Sequence, residues 1–210
     1  MEVLLIIVLS YVVGSIPTAI IMGKLLKGID IREHGSGNAG GTNALRVLGW
    51  KAGIFTMAID VFKGFVASWW IAGLADGRPV WVMILAGAAA ILGHTFTVFA
   101  RFKGGKGVGT AAGMLIALFP VAVPICFAVF ALSLFSTGIV SLSSMLAAVT
   151  LPIVVSILKF LYAADVHDAL FYFSLLIPFF IIWTHRSNIQ RMMKGEENRF
   201  EKVMIFRRKS

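Results

Sequence analysis

Residues 108–135 read VGTAAGMLIALFPVAVPICFAVFALSLF, and the division of this run decides how often the chain crosses a membrane. The run is apolar throughout and exceeds the ~20 residues that cross a ~30 Å hydrocarbon core as one helix. Pro120 and Pro124 lie inside it. Each removes a backbone donor and disfavours helix continuation. As one helix, the run would leave three crossings between the basic cluster Arg101, Lys103, Lys106 and the basic C-terminal stretch. An odd count puts those clusters on opposite sides, against the positive-inside rule. Division near Pro120, into segments of about 12 and about 15 residues, restores an even count. At least one of these is expected to be short or re-entrant, buried in protein rather than bare to lipid.

The other apolar runs extend from about Val3 to Gly23, Gly53 to Ala75, Val80 to Ala100, Ile139 to Leu158 and Ala169 to Trp183. The expectation is an all-α membrane protein of about seven transmembrane segments, with the N-terminus outside and the C-terminus inside. The first run has no preceding Lys or Arg and is long for a signal-peptide core, so it reads as a retained span. Composition agrees: 59% of the 210 residues are hydrophobic, 14% are charged and mean hydropathy is +0.90. The net charge of +9 is carried by residues in the gaps between apolar runs, where anionic head groups and anionic substrates are met. Nucleic acid is not an expected partner, and no obligate protein partner is evident. One domain is expected over residues 1–198, followed by a basic cytoplasmic tail, 199–210, that acts as a membrane-surface anchor. Cys126 lies alone in an apolar run, which offers neither a disulfide framework nor metal-ligand spacing.

The gap before residue 108 holds Lys103-Gly104-Gly105-Lys106-Gly107. Glycines let a backbone curl until several N–H groups face one anion, and the lysines add positive charge. The bland counterpart is a flexible basic membrane-edge turn. An earlier gap reads Gly35-Ser36-Gly37-Asn38-Ala39-Gly40-Gly41-Thr42-Asn43, then Arg46. Its G-x-G-x-x-G pattern lacks the strand and helix context of a dinucleotide site. It suits a tight loop that directs N–H, hydroxyl and amide groups at a small polar ligand, or a compact turn that caps the next helix. Ser141 to Ser144 open an apolar run, where helix capping or small-residue packing is the ordinary role. His185-Arg186-Ser187-Asn188 follow the last span, where such residues are often interfacial anchors. Asp60 and Lys63, three apart on one span, read as a structural ion pair, and His94 as a packed intramembrane histidine. Lys106 is followed by Gly107, so no Walker A loop is present, and there is no Gly-x-Ser-x-Gly elbow, His-Glu-x-x-His motif or His-x4-Asp dyad. No cofactor and no metal are expected.

Together the islands resemble the bacterial membrane acyltransferases of the PlsY type, which acylate glycerol 3-phosphate from acyl phosphate. The matching residues are Ser36 to Asn43 with Arg46, then Gly93-His94 and Phe102 to Val108, then His185 to Ile189 with Arg191, Gly195 and Glu197. Gly14-Ser15-Ile16-Pro17 also fits. Departures are Gly41 and Gly109 where the family usually has Ala, Thr97 where it usually has Pro, and Met192 where Leu is common. The two glycines are expected only to loosen loops, and Thr97 to alter a helix end near the site.

The resemblance implies transfer of a fatty acyl group from acyl phosphate to the 1-hydroxyl of glycerol 3-phosphate in the bacterial cytoplasmic membrane, with the site on the cytoplasmic side. Acyl phosphate, glycerol 3-phosphate and membrane lipids are then the partners. An acyl phosphate is already an activated anhydride, so positioning and charge stabilisation suffice without an acyl-enzyme. Lys103 and Lys106, with the amides of Gly104, Gly105 and Gly107, are the expected ligands of the acyl-phosphate group. Arg46, Ser36, His185 and Asn188 are expected at glycerol 3-phosphate, with Asn38 and Arg186 also among the substrate-binding residues. Thr42, Asn43 and Ser141 would orient the acyl carbonyl or the attacking hydroxyl. Either His185 or the substrate's own phosphate serves as base. The alternative is a small transporter or channel for a phosphorylated metabolite, which would show repeat symmetry and midplane polar groups.

Overall fold

The computed structural model describes residues 1–201 and Met204, so most of the expected basic tail lies outside the described residues. Among those residues the chain is helical throughout, with no strand. The ten α-helices are α1 Glu2–Ser15, α2 Thr18–Lys27, α3 Gly41–Leu48, α4 Trp50–Val66, α5 Val80–Thr95, α6 Val108–Leu118, α7 Ala122–Thr137, α8 Val140–Ser156, α9 Asp168–Thr184 and α10 Arg186–Met193. They form two compact units, which divide between Leu118 and Phe119, at the Pro120 break. The apolar run of residues 108–135 is therefore two helices, parted at Pro120, while Pro124 sits in the first turn of α7, where no helical donor is needed.

Four stretches are long and apolar enough to cross a membrane: Glu2–Lys27, Trp50–Leu74, Val80–Ala100 and Val140–Leu161. The pair Asp168–Thr184 and Arg186–Met193 qualifies together but bends by 59°. Val108–Leu118 and Ala122–Thr137 are apolar but shorter. Among the described residues, four stretches, or five with the bent pair, thus have the length and composition of a span, beside two shorter apolar helices.

In the first unit, backbones approach closely because small residues line the contacts. A Cβ on Gly14 would collide with the Ala90 backbone and one on Gly93 with Tyr11, which sets α1 against α5. Gly64 faces the Thr110 carbonyl and Gly113 that of Val61, which seats α6 on α4. Such contact substitutes van der Waals packing for the hydrophobic drive that lipid does not supply. The first apolar run is broken at Ile16–Pro17, a feature read as one uninterrupted span from sequence. There Lys63 Nζ donates to the Ile16 carbonyl at 3.0 Å, and the Thr97 hydroxyl donates to the Ser15 carbonyl. Thr97, buried at 1% exposure two residues past the end of α5, ties that helix end to this break.

Gly41 and Gly109 correct another expectation. They are not loop residues: Gly41 opens α3 and Gly109 is the second residue of α6. A Cβ on Gly41 would overlap the Met57 side chain and come within 3.1 Å of the Met57 nitrogen, and one on Gly109 would stand 3.0 Å from Asp60 Cβ. Both are close-packed against α4.

In the second unit, α7 packs on α8 and α8 on α9. Gly138, left-handed at φ 69°, ends α7 and reverses the chain. At the far end of α8, Lys159 bonds the Val166 carbonyl at 2.7 Å and Asp168 at 2.8 Å. The serines that open α8 do not cap it. Ser143 and Ser144 donate back to the carbonyls of Ile139 and Val140, each at 2.9 Å.

Candidate functional site

In the first unit the loop before α3 is organised by one side chain. Asn43 is fully buried; its Oδ1 accepts from the Ser36 N–H at 2.9 Å, and its Nδ2 donates to the carbonyls of Ile31 at 3.1 Å and His34 at 2.9 Å. Gly35, at φ 61°, passes so close to Asn43 Oδ1 that a Cβ would overlap it. Thr42 and Arg46 stand half-buried on α3, and Ser36 and Asn38 half-buried on the loop.

The Lys103–Gly107 loop runs back along the end of α5. Gly104 N–H donates to the Thr95 carbonyl at 3.0 Å and Gly105 N–H to that of His94 at 3.1 Å. A Cβ on Gly105 would strike His94 Nε2 and lie 3.1 Å from the Ala39 carbonyl, so the two glycine loops meet here. Lys103 is exposed and Lys106 half-buried. Gly107, at φ 80°, turns the chain into α6. Beneath the loop, Lys63 Nζ lies 2.9 Å from Asp60 Oδ1, and His94 Nδ1 lies 3.5 Å from the same oxygen. The expected ion pair is present, and His94 extends it to the loop.

In the second unit the organising group is Glu197. Its Oε1 accepts from Asn188 Nδ2 at 2.6 Å and Ser141 Oγ at 2.9 Å, and its Oε2 accepts from Arg191 Nε at 2.8 Å. Burial opposes ionisation of this carboxyl, but the bonds from Asn188, Ser141 and Arg191 together hold it below the ordinary glutamate range. His185, 3% exposed, places Nδ1 2.7 Å from the Ile181 carbonyl. A carbonyl only accepts, so Nδ1 carries the hydrogen and Nε2 is the basic nitrogen of the neutral ring.

The family model for glycerol-3-phosphate acyltransferase matches residues 4–195. The chain belongs to the glycerol-3-phosphate acyltransferase family. A glycerol-3-phosphate acyltransferase of Chlorobaculum tepidum is 47% identical, with 93% of this chain and 95% of that protein covered. One from Chlorobium phaeobacteroides is 45% identical over the same shares. A crystal structure of PlsY (YgiH), an integral membrane glycerol 3-phosphate acyltransferase in its glycerol 3-phosphate form, matches with TM-score 0.85 at 36% identity, covering 97% of this chain and 98% of that one. The lysophosphatidic acid form of PlsY matches with TM-score 0.80. The chain is an integral membrane acyltransferase.

Within this acyltransferase, the first unit carries Ser36 and Asn38 on the loop before α3, Thr42, Asn43 and Arg46 on α3 itself, and Lys103 to Gly107 on the loop that meets the first at Ala39. The second gathers Ser141 and Asn188 on Glu197. Arg186 is exposed, its guanidinium 4.7 Å above the Trp183 ring, and it donates to the Trp183 carbonyl at 3.2 Å. Sequence reasoning gave Glu197 no role of its own, although it lies on the same island as Asn188 and Arg191. It also left out Asp30 and Arg32, whose Asp-x-Arg spacing was the available signal.

Proposed function

We propose that this acyltransferase moves a fatty acyl group from acyl phosphate to the 1-hydroxyl of glycerol 3-phosphate, producing lysophosphatidate and inorganic phosphate, the first step of bacterial phospholipid synthesis. The observation that carries the donor assignment is the Lys103–Gly107 loop: the Gly104 and Gly105 amides, expected as phosphate ligands, are instead spent on the Thr95 and His94 carbonyls and pin the loop, and Lys103 and Lys106 make it a cationic setting for a departing phosphate. The acceptor and product are supported by the glycerol 3-phosphate and lysophosphatidic acid forms of PlsY.

The hydroxyl oxygen attacks the acyl carbonyl carbon, and its proton passes to a base, either His185 Nε2 or the substrate's own phosphate. The bond from carbonyl carbon to phosphate oxygen breaks, and the electron pair leaves with phosphate. Lys106 offsets the charge that grows there. Arg46, Ser36 and Asn38 hold the glycerol 3-phosphate; Thr42 orients the acyl carbonyl. Asn43 holds the loop that carries Ser36. Ser141 and Asn188 act through Glu197. The site is assigned to the cytoplasmic face of the bacterial inner membrane, with the N-terminus outside, on the distribution of Lys and Arg among the gaps.

The test is turnover by the purified protein with glycerol 3-phosphate and, in parallel, acyl phosphate, acyl-CoA and acyl carrier protein thioester. Acyl phosphate should be used by far the best. Equal turnover with a thioester would remove the donor assignment.

A further inference from the structure

Between the two glycine loops of the first unit lies a structure that the catalytic reading does not use. Asp30 caps a short turn, Ile31–Glu33, by accepting from the Arg32 N–H at 3.0 Å. The same carboxylate takes the Arg32 guanidinium with both oxygens: Nε donates at 3.0 Å to Oδ1, and Nη2 donates at 2.6 Å to Oδ2. A planar guanidinium gripped along one edge presents its remaining nitrogen in a fixed direction. Arg32 Nη1 donates across the molecule to the Ala100 carbonyl at 3.0 Å and the Lys103 carbonyl at 3.2 Å.

Those two carbonyls belong to the ends of a strained turn. Lys103 N–H donates to the Ala100 carbonyl at 3.2 Å, and the residues between are Arg101 at φ 55° and Phe102 at φ 59°. Two consecutive left-handed residues make the mirror image of the common turn, a conformation dominated by Gly, Asn and Asp. Arg and Phe are costly there, and such strain persists only where the surroundings over-determine it. Arg32 joins both ends of the turn through one nitrogen, and the turn leads directly into Lys103, Gly104, Gly105 and Lys106. A cavity of about 450 Å³ opens beside it, lined by Asp30, Arg32, Glu33, Arg101, Lys103 and Gly104 among others.

We propose that Arg32, aimed by Asp30, is a positioning residue that clamps the left-handed Arg101–Phe102 turn and thereby sets where the Lys103–Lys106 loop meets acyl phosphate. This rests on the assignment of that loop to the donor. The clamp joins the acceptor-side loop to the donor-side loop, so it fixes their relative placement without touching either substrate. Lysine is no substitute, because one ammonium cannot grip a carboxylate edge and two carbonyls in fixed directions.

The experiment uses the full-length protein in lipid nanodiscs, with folded, monodisperse variants and both substrates varied. Arg32→Ala should raise the KM for acyl phosphate roughly 10-fold or more and lower kcat, because small misplacements of a positioning group are amplified in rate. The KM for glycerol 3-phosphate should stay within about twofold. Arg32→Lys should resemble Arg32→Ala. In Arg32→Ala, the added substitutions Arg101→Gly and Phe102→Gly should recover part of the lost acyl-phosphate kcat/KM, since glycine adopts the turn without strain. A fall in kcat alone, with both KM values unchanged, would mean lost active protein and would overturn the clamp. So would a glycine-substituted variant no better than Arg32→Ala. Lys106→Ala separates the two levels. If it is crippled while Arg32→Ala is normal, the clamp alone fails; if Lys106→Ala is itself near normal, the donor assignment fails with it.

Discussion

Asn188 donates to Glu197 Oε1 across 2.6 Å, and the oxygen that receives it also receives Ser141 Oγ from α8. Glu197 is therefore the residue through which α8, α10 and the segment after α10 share one polar centre. Glu197→Ala leaves three donors without their acceptor, at a cost of about 1–3 kcal/mol for each buried group left unsatisfied. Thermal melts in detergent should show a clear drop in apparent Tm. Because the native carboxyl is depressed, its stabilisation is complete at neutral pH and is lost as pH falls from the ordinary carboxylate range through the lower native value. Glu197→Gln should flatten that acid limb of the pH–Tm curve, and an unchanged limb would refute it.

Lys106 and Arg46 should separate in steady-state kinetics. Negative charge grows on the departing phosphate, so Lys106→Ala should lower kcat by roughly 100-fold or more. Arg46 holds the acceptor's phosphate, a group that does not change during the reaction. Arg46→Ala should mainly raise the KM for glycerol 3-phosphate. A Lys106→Ala enzyme with near-normal kcat would leave the loop a basic turn and nothing more.

The buried His185 can be tested by its tautomer. Its Nδ1–H is tied to Ile181, so an Asn in its place retains a donor there but no basic nitrogen. His185→Asn should lower kcat by about 100- to 10,000-fold, the range for loss of a general base. A loss below about tenfold would assign the proton to the substrate phosphate instead.

The Gly41–Met57 contact predicts a reciprocal pair. Gly41→Ala pushes a methyl into the Met57 side chain, so apparent Tm should fall. Adding Met57→Ala opens that space and should restore part of the loss. Additive losses in the double variant would show that the methyl is accommodated elsewhere.

The apolar skeleton was legible because membrane spans are written in composition. The split at Pro120 followed from charge parity, which local propensity alone does not supply. The break at Pro17 was not legible, since its carbonyls are answered by Lys63 and Thr97, residues that no periodicity links to it. The same reason hid the work of Asn43 and Glu197. Sequence names the polar groups of a loop, but whether an amide meets a ligand or holds its neighbours' backbone depends on contacts made only on folding. Gly41 and Gly109 were misread in the same way, because a missing Cβ looks alike in a loose loop and at a helix contact.

The broken first helix also carries an order of events. A ribosome delivers Ser15 and Ile16 to the bilayer before it has made Lys63, 47 residues after Ile16, or Thr97, 82 residues after Ser15. Until then the Ser15 carbonyl lacks its Thr97 donor, which hydrocarbon cannot replace, while the Ile16 carbonyl has only the Thr18 N–H at 3.0 Å. The bonds that hold the final shape of the earliest segment are thus completed only by the later-made α4 and the residues after α5.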